Sequence, residues 1–297
     1  MFSKFDDFVN RDAEIKLFTE LLHEPFGILI LHGVEGIGKT RVIHRLRQVC
    51  SAPNVKAVLV DFRDKAQLAE PEYVIRRLRE RVGGTFAERL GQVETRFQQE
   101  ILGSTFSSLA ASSSQTVAGR VNLYHSREIH VGGDIVGGAK ISVTINLGGA
   151  LSMNAREIET RRNTALRDAL KEVLAERSMV LFFDHFEDAT TPVGEWLCQH
   201  ILRLHLEEIG EYPNLWIVVA GRTVPLQEEV EHLSPVIRYL QVEPLSEEAI
   251  TLFWVHLHRL DPDKLVEVIQ ASQGNPQRLV AEAYKAVQAA IREKTDE

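Results

Sequence analysis

A chain of 297 residues, 44% of them hydrophobic and 26% charged, can bury the core of one large domain or two smaller ones. Its formal net charge of -8 argues against a protein built mainly to neutralise a phosphate backbone, although a local basic face stays open. The two cysteines, Cys50 and Cys198, stand far apart and outside any metal-ligand spacing, so they read as small core residues of a reducing compartment. The first residues lack the apolar stretch of a signal peptide and no later run approaches a membrane span, so a cytoplasmic protein is expected.

Asn10 is a candidate N-cap for an amphipathic helix ending near Leu22, with Ile15, Leu17, Phe18, Leu21 and Leu22 as its apolar stripe. A short apolar run from Gly27 to Leu31 then enters a glycine-rich turn, and the turn opens into a helix from Thr40 to Cys50. Gly33, Gly38, Lys39 and Thr40 meet the pattern G-x-x-x-x-G-K-[ST], with a further glycine at Gly36. Glycines let the backbone turn tightly, so that the N–H groups from Glu35 through Ile37 to Thr40 face a phosphate chain. The positive end of the following helix adds to that field. Lys39 is expected to reach the β- and γ-phosphates, and the Thr40 hydroxyl to hold magnesium.

Val55 to Phe62 has the pattern of a buried strand, and Glu72 to Val82 that of a helix whose Arg76, Arg77, Arg79 and Arg81 form a solvated face or meet an acidic partner. Between Gly83 and Ala150 the character changes. Eleven of the nineteen glycines lie there with the serine cluster Ser104–Ser114, so a single packed element is not expected. Its first part, Phe86 to Phe106, has helical spacing; Ile141 to Leu147 alternates as a half-buried strand, with turn residues from Val131 to Gly138 before it. A β-hairpin inserted into the core is expected, with a partly ordered loop as the alternative.

Asn154 to Arg177 is a strongly amphipathic helix. Five apolar residues from Met179 to Phe183 then end in Asp184, a buried strand with an acidic tip of the Walker B kind, where Asp184 binds magnesium directly or through water. A helix from Val193 to Ile209 leads to a strand from Leu215 to Ala220, closed by Gly221 and Arg222. A cation at this tip can sense a γ-phosphate, or it can be an exposed turn arginine. Ile237 to Val242 is a last short strand. Helices follow over Ser246–His258, Asp261–Ser272 and Pro276–Arg292, with Ser246–Glu248 and Asp263 as starts and Gly274-Asn275-Pro276 as the break before the last. Alternating β and α units predict an α/β fold with a mostly parallel five-stranded sheet covered on both faces, and a ligand at the strands' carboxyl ends.

Together these residues resemble the STAND class of AAA+-related ATPases, the group that includes the NB-ARC and NACHT signalling ATPases. Phe8-Val9-x-Arg11-x-x-Glu14-Ile15 looks like the entry motif of that class, which implies that Val9 and Arg11 flank an adenine. Gly33-Val34-Glu35-Gly36-Ile37-Gly38-Lys39-Thr40, followed by Arg41, is similar to its P-loop, and Ile217 to Arg222 to its sensor-1 strand. Val242 to Glu248 with Gly274-Asn275-Pro276 resembles its lid, in which Pro276 packs against the base. The resemblance covers the chain except the Gly83–Ala150 insertion. It divides the rest into a nucleotide-binding core, residues 1–245, and a helical lid, residues 246–297.

The resemblance implies an ATP or ADP ligand, Mg²⁺, and self-association or a signalling partner; neither a membrane nor a nucleic-acid partner is expected. One departure bears on turnover. AAA+ enzymes place a glutamate directly after the Walker B aspartate, whereas here that position is His185 and the nearest glutamate is Glu187. Slow hydrolysis is expected, with Glu187 or His185 as the base or with a partner required. No winged helix or repeat array follows the lid, so the chain is either a core cut from a longer protein or a compact member of the class. An ATP-driven switch, a nucleotide-locked scaffold and a DNA-handling AAA+ loader are the three functions to separate.

Overall fold

The computed structural model of the protein describes residues 11–50, 55–63, 70–92, 95, 128–134, 140–146, 150–203, 211–222 and 236–295. In chain order the elements are α1 (Asp12–Leu22), β1 (Gly27–His32), α2 (Lys39–Val49), β2 (Val55–Asp61), α3 (Glu72–Val82) and a helix over residues 84–92, α4. Next come β3 (Glu128–Asp134), β4 (Lys140–Asn146), α5 (Ala150–Glu176), β5 (Ser178–Asp184), α6 (Thr191–Leu197), β6 (Leu215–Gly221) and β7 (Ile237–Gln241). The last are α7 (Glu247–Thr251), α8 (Leu265–Ser272) and α9 (Pro276–Thr295).

Five strands form one sheet in the order β2-β5-β6-β1-β7, every neighbouring pair parallel. Burial follows position in that order. Every residue of β6 is buried, and β1 is buried up to its last residue, because helices cover both faces of a central parallel strand. The edge strands β2 and β7 alternate instead. The order also inserts β6 between the P-loop strand β1 and β5, so Asp184 reaches the site across one strand. Phe18, Leu29, Val42, Ile43, Phe182 and Val218 are among the buried side chains of the core between α1, α2 and the sheet. Trp216 Nε1 donates to Leu21 O at 3.0 Å and Glu24 O at 3.2 Å, tying the end of α1 to β6.

The helices after β7 have an apolar cluster of their own, including Leu245, Phe253, Trp254, Val268, Leu279 and Ala283. The chain divides into two units, residues 1–82 with 173–297, and residues 83–172. The second contains α4, most of α5 and the hairpin β3–β4, which pairs antiparallel from Glu128↔Asn146 to Asp134↔Lys140.

Several boundaries differ from expectation. α1 starts at Asp12 with Arg11 in the N-cap position, and Asn10 lies outside the described residues. Val131 to Asp134, expected to turn, are strand residues, paired with Val143 to Lys140; the rest of the expected turn, residues 135–138, lies outside the described residues. The helix expected from Val193 is α-helical only to Leu197 and continues as a π-turn over Cys198–Leu202. The helix expected over Ser246–His258 likewise passes into a π-turn over Leu252–Leu257. Asp261, not Asp263, caps the following segment: its side chain accepts from Asp263 N. Among the described residues no helix is long and apolar enough to cross a membrane.

Candidate nucleotide-binding site

The turn after β1 and the first turn of α2 border a cavity of about 540 Å³. Arg11, Glu35, Gly36, Gly38, Lys39, Thr40, Arg41, Glu187, Arg222 and Pro276 all line it, so the structure brings together most of the residues the motifs single out. Ile37 contributes backbone only: its side chain is buried and its carbonyl accepts from Arg11 Nη2 at 2.9 Å. Val9 lies outside the described residues. Leu245, Phe253, Leu279 and Val280, from the C-terminal apolar cluster, line it together with the charged groups of the P-loop and strand tips. A cavity lined by both cationic and apolar side chains suits a ligand with an anionic part and an apolar part.

Arg11 is 6% exposed and fully engaged. It pairs with Glu14 at 3.0 Å and donates to Glu243 O at 2.7 Å as well as to the P-loop carbonyl of Ile37. One guanidinium thus ties the start of α1, the P-loop and the segment after β7. Lys39 Nζ donates to Gly33 O at 2.6 Å and Val34 O at 3.1 Å, folding over the P-loop it belongs to. Burial lowers its pKa, while the charges of Glu187 and Asp184 pull it back up.

Asp184 does not line the cavity. It is 1% exposed and lies against the His185 ring, which stands 3.3 Å from the Thr40 hydroxyl. Burial pushes the Asp184 carboxyl above its ordinary pKa, against the opposing pull of His185, the Thr40 hydroxyl and the His185 N–H. Because β2 and β5 pair with Asp61 opposite Asp184, Asp61 ends at the same level. Burial raises the Asp61 pKa too, but Arg63, bound to its carboxylate through Nε at 3.1 Å and Nη2 at 2.6 Å, outweighs it and holds the group below its ordinary value. Arg222 is held from two sides, by Glu187 Oε1 at 3.1 Å and Glu35 Oε2 at 3.2 Å, and its N–H donates to Glu187 Oε2.

Asn275, of the Gly274-Asn275-Pro276 element, and Gln277, which no motif included, join the P-loop to α9. Asn275 Nδ2 donates to Glu35 O at 2.9 Å, while its Oδ1 caps α9 by accepting from Gln277 N and Arg278 N. Gln277 N also donates to Gly36 O at 3.3 Å. Gly36 has φ 76°, a left-handed conformation that favours glycine, and a Cβ there would also press on Asn275 Oδ1 at 2.9 Å and Gln277 Cβ at 3.0 Å. The sequence marked Asn275 only as part of the Gly274-Asn275-Pro276 break; nothing local marked Gln277 or Asp61.

A family model for the AAA ATPase domain matches residues 7–218. The chain is structurally similar to the Walker-type ATPase PABY2304 of Pyrococcus abyssi, at 17% identity and a TM-score of 0.50, covering 94% of this chain and 68% of that one. It is similar to the ORC1 protein of Aeropyrum pernix, solved in complex with DNA, at 16% identity and a TM-score of 0.53, covering 97% of this chain and 62% of that one. Cdc6p of Pyrobaculum aerophilum gives 10% identity and a TM-score of 0.56, covering 99% of this chain and 67% of that one. The chain therefore spans 62% to 68% of the length of these proteins, and at such identities the likeness concerns the fold. No curated protein sequence matches it. With a P-loop at the tip of β1, a buried aspartate at the tip of β5 and a family match over most of its length, the chain belongs to the AAA ATPase domain family.

Proposed function

We propose that the protein is an ATP-binding and slowly ATP-hydrolysing switch of the STAND type. In this reading nucleotide state controls how the C-terminal helices, acting as a lid, sit on the P-loop, and so governs self-association or a signalling partner. The observation that carries it is the direct seat of α9 on the P-loop, through Asn275 on Glu35 O and Gln277 on Gly36 O. A ligand that reorders those P-loop peptides also changes the hold on the helix.

Lys39 leaves the Gly33 and Val34 carbonyls for the β- and γ-phosphates, and P-loop amides take the remaining phosphate oxygens. Phe253, Leu279 and Val280 receive the base, with Arg11 and Pro276 at its edge. The hydroxyl of Thr40 and the buried oxygens of Asp184 form a hard donor set that fits Mg²⁺, which when bound offsets charge on the phosphates. Arg222 senses the terminal phosphate, and Glu187 or His185 takes the proton of the attacking water. Turnover is slow for two reasons. His185 occupies the position after the Walker B aspartate, and Glu187 is already paired with Arg222.

Phosphate release at saturating Mg·ATP tests this reading. Slow turnover lost in Lys39→Ala supports it, while bound nucleotide with no turnover in either protein supports the nucleotide-locked scaffold. A DNA-handling role is the second reading, favoured by the resemblance to a protein solved in complex with DNA. It requires duplex binding that weakens steeply with salt.

A further inference from the structure

We propose that Asp61, Asp184 and His185 form a binding site for one borderline-soft divalent cation, zinc in chemistry, held by the protein without nucleotide. The site stands on these three ligands alone and does not depend on the switch reading.

The fold brings the ligands together by register. Parallel pairing sets Asp61 at the end of β2 opposite Asp184 at the end of β5. His185 follows with φ 57° and ψ 44°, a left-handed conformation that is uncommon outside glycine. That conformation turns the ring back on both carboxylates. Its Nδ1 stands 3.2 Å from Asp61 Oδ1 and 3.3 Å from Asp184 Oδ2. Ligands bound about 2.0–2.2 Å from one tetrahedral zinc ion stand about 3.3–3.6 Å from each other. The ring nitrogen is therefore at coordinating distance from both carboxylates, all three ligand atoms lie within 4.8 Å of one another, and among the described residues they are the one such group of histidine, cysteine and acidic side chains.

A second observation points to a cation. Asp184 Oδ2 and His185 Nδ1 are both enclosed, and neither makes a well-formed hydrogen bond. A buried carboxylate oxygen 3.3 Å from a ring nitrogen, with neither atom in a hydrogen bond of good geometry, is uncommon in folded proteins. A metal ion accepting both lone pairs satisfies them at once. Coordination through Nδ1 places the ring proton on Nε2, which faces the Thr40 hydroxyl at 3.3 Å, the outer contact that fixes a metal-bound imidazole.

An imidazole with two carboxylates suits zinc and neighbouring transition ions, whereas magnesium prefers oxygen ligands and water. Arg63 already binds the Asp61 carboxylate, which tempers the negative charge of the site: Asp61 Oδ1 accepts from Arg63 N at 3.0 Å and Nε at 3.2 Å, so the ion takes a remaining lone pair of that oxygen while the 57% exposed guanidinium stays at the rim. Asp184 belongs to this site and to the proposed magnesium site, so zinc and Mg·nucleotide compete.

Titration calorimetry of Zn²⁺ into the metal-stripped full chain is the test, with Co²⁺ as a visible probe. One zinc per chain is expected. Loss of an outer contact alone weakens metal binding by about 10–100-fold, so loss of a direct ligand in His185→Asn or Asp61→Asn should weaken it by at least about a hundredfold. Lys39→Ala, which removes the phosphate-gripping ammonium, keeps the zinc, so failure of the nucleotide reading leaves this result intact. Circular dichroism checks that the variants fold, and X-ray absorption of the zinc-loaded wild type reads the ligand shell directly. No stoichiometric zinc, equal affinity in the variants, or sulfur in the shell overturns the proposal.

Discussion

Asn275 is the residue on which coupling between the P-loop and α9 can be dissected, because its two side-chain atoms do separate tasks. Oδ1 caps α9, and Nδ2 holds the Glu35 carbonyl. Asn275→Asp keeps an acceptor for the cap and removes the donor, while Asn275→Ala removes both. One hydrogen bond contributes about 0.5–1.5 kcal/mol, and an N-cap about 0.5–2 kcal/mol. The aspartate variant should therefore loosen the P-loop by about two- to twelvefold in opening equilibrium, with the first turn of α9 unchanged. Alanine should loosen both. Hydrogen exchange followed over residues 33–40 and 277–281 separates the two effects. Unchanged P-loop exchange in the aspartate variant, or an α9 first turn loosened as much by aspartate as by alanine, would refute the coupling.

Burial raises the Asp184 pKa, so ionisation costs more in the folded than in the unfolded chain, and stability falls as pH rises from the ordinary carboxyl value through the folded one. Asp184→Asn is expected to raise Tm at neutral pH, by about 2–4 °C per kcal/mol relieved, and to abolish Mg·nucleotide binding; a lower Tm by calorimetry would contradict this. Asp61 behaves oppositely. Its depressed pKa contributes stability above the ordinary carboxyl value that is lost as pH falls through the folded value. Arg63→Ala should move the acid-unfolding midpoint upward, modestly because the pair is partly exposed. Gly274 has φ 71°, and a Cβ there would lie 2.6 Å from Leu245 O, so Gly274→Ala should cost at least about 1–2 kcal/mol in denaturant unfolding. Burial pushes the Cys50 thiol up to about 12, so iodoacetamide should label it only after unfolding.

The parts of the site that could be seen in the sequence are those written in consecutive residues. Gly33 to Thr40 carries its own spacing, and Asp184 ends an apolar run long enough to mark a buried strand. The alternation of strands and helices likewise dictates a parallel sheet before any coordinates. Asp61 could not be found this way, since only the placement of β2 beside β5, in the register Asp61↔Asp184, brings it to the site. Gln277 and Phe253 reach the cavity from helical segments whose packing is set by the C-terminal apolar cluster that includes Phe253 itself, Trp254 and Leu279. His185 stood out as a departure from the expected glutamate, but its left-handed backbone and its place between two carboxylates are properties of the folded strand tips. The π-turns escaped because a helical apolar stripe is nearly the same for α- and π-geometry over one turn.

The cavity between the P-loop and the C-terminal helices is proposed above all to hold an adenine nucleotide. Mass spectrometry of the nucleotide released from the purified full chain, after incubation with Mg²⁺ and a mixture of ATP and GTP, tests it most directly. Close to one equivalent of ATP or ADP per chain, lost in Lys39→Ala, is the predicted result. Release of no nucleotide, or of guanine nucleotides alone, would contradict the account.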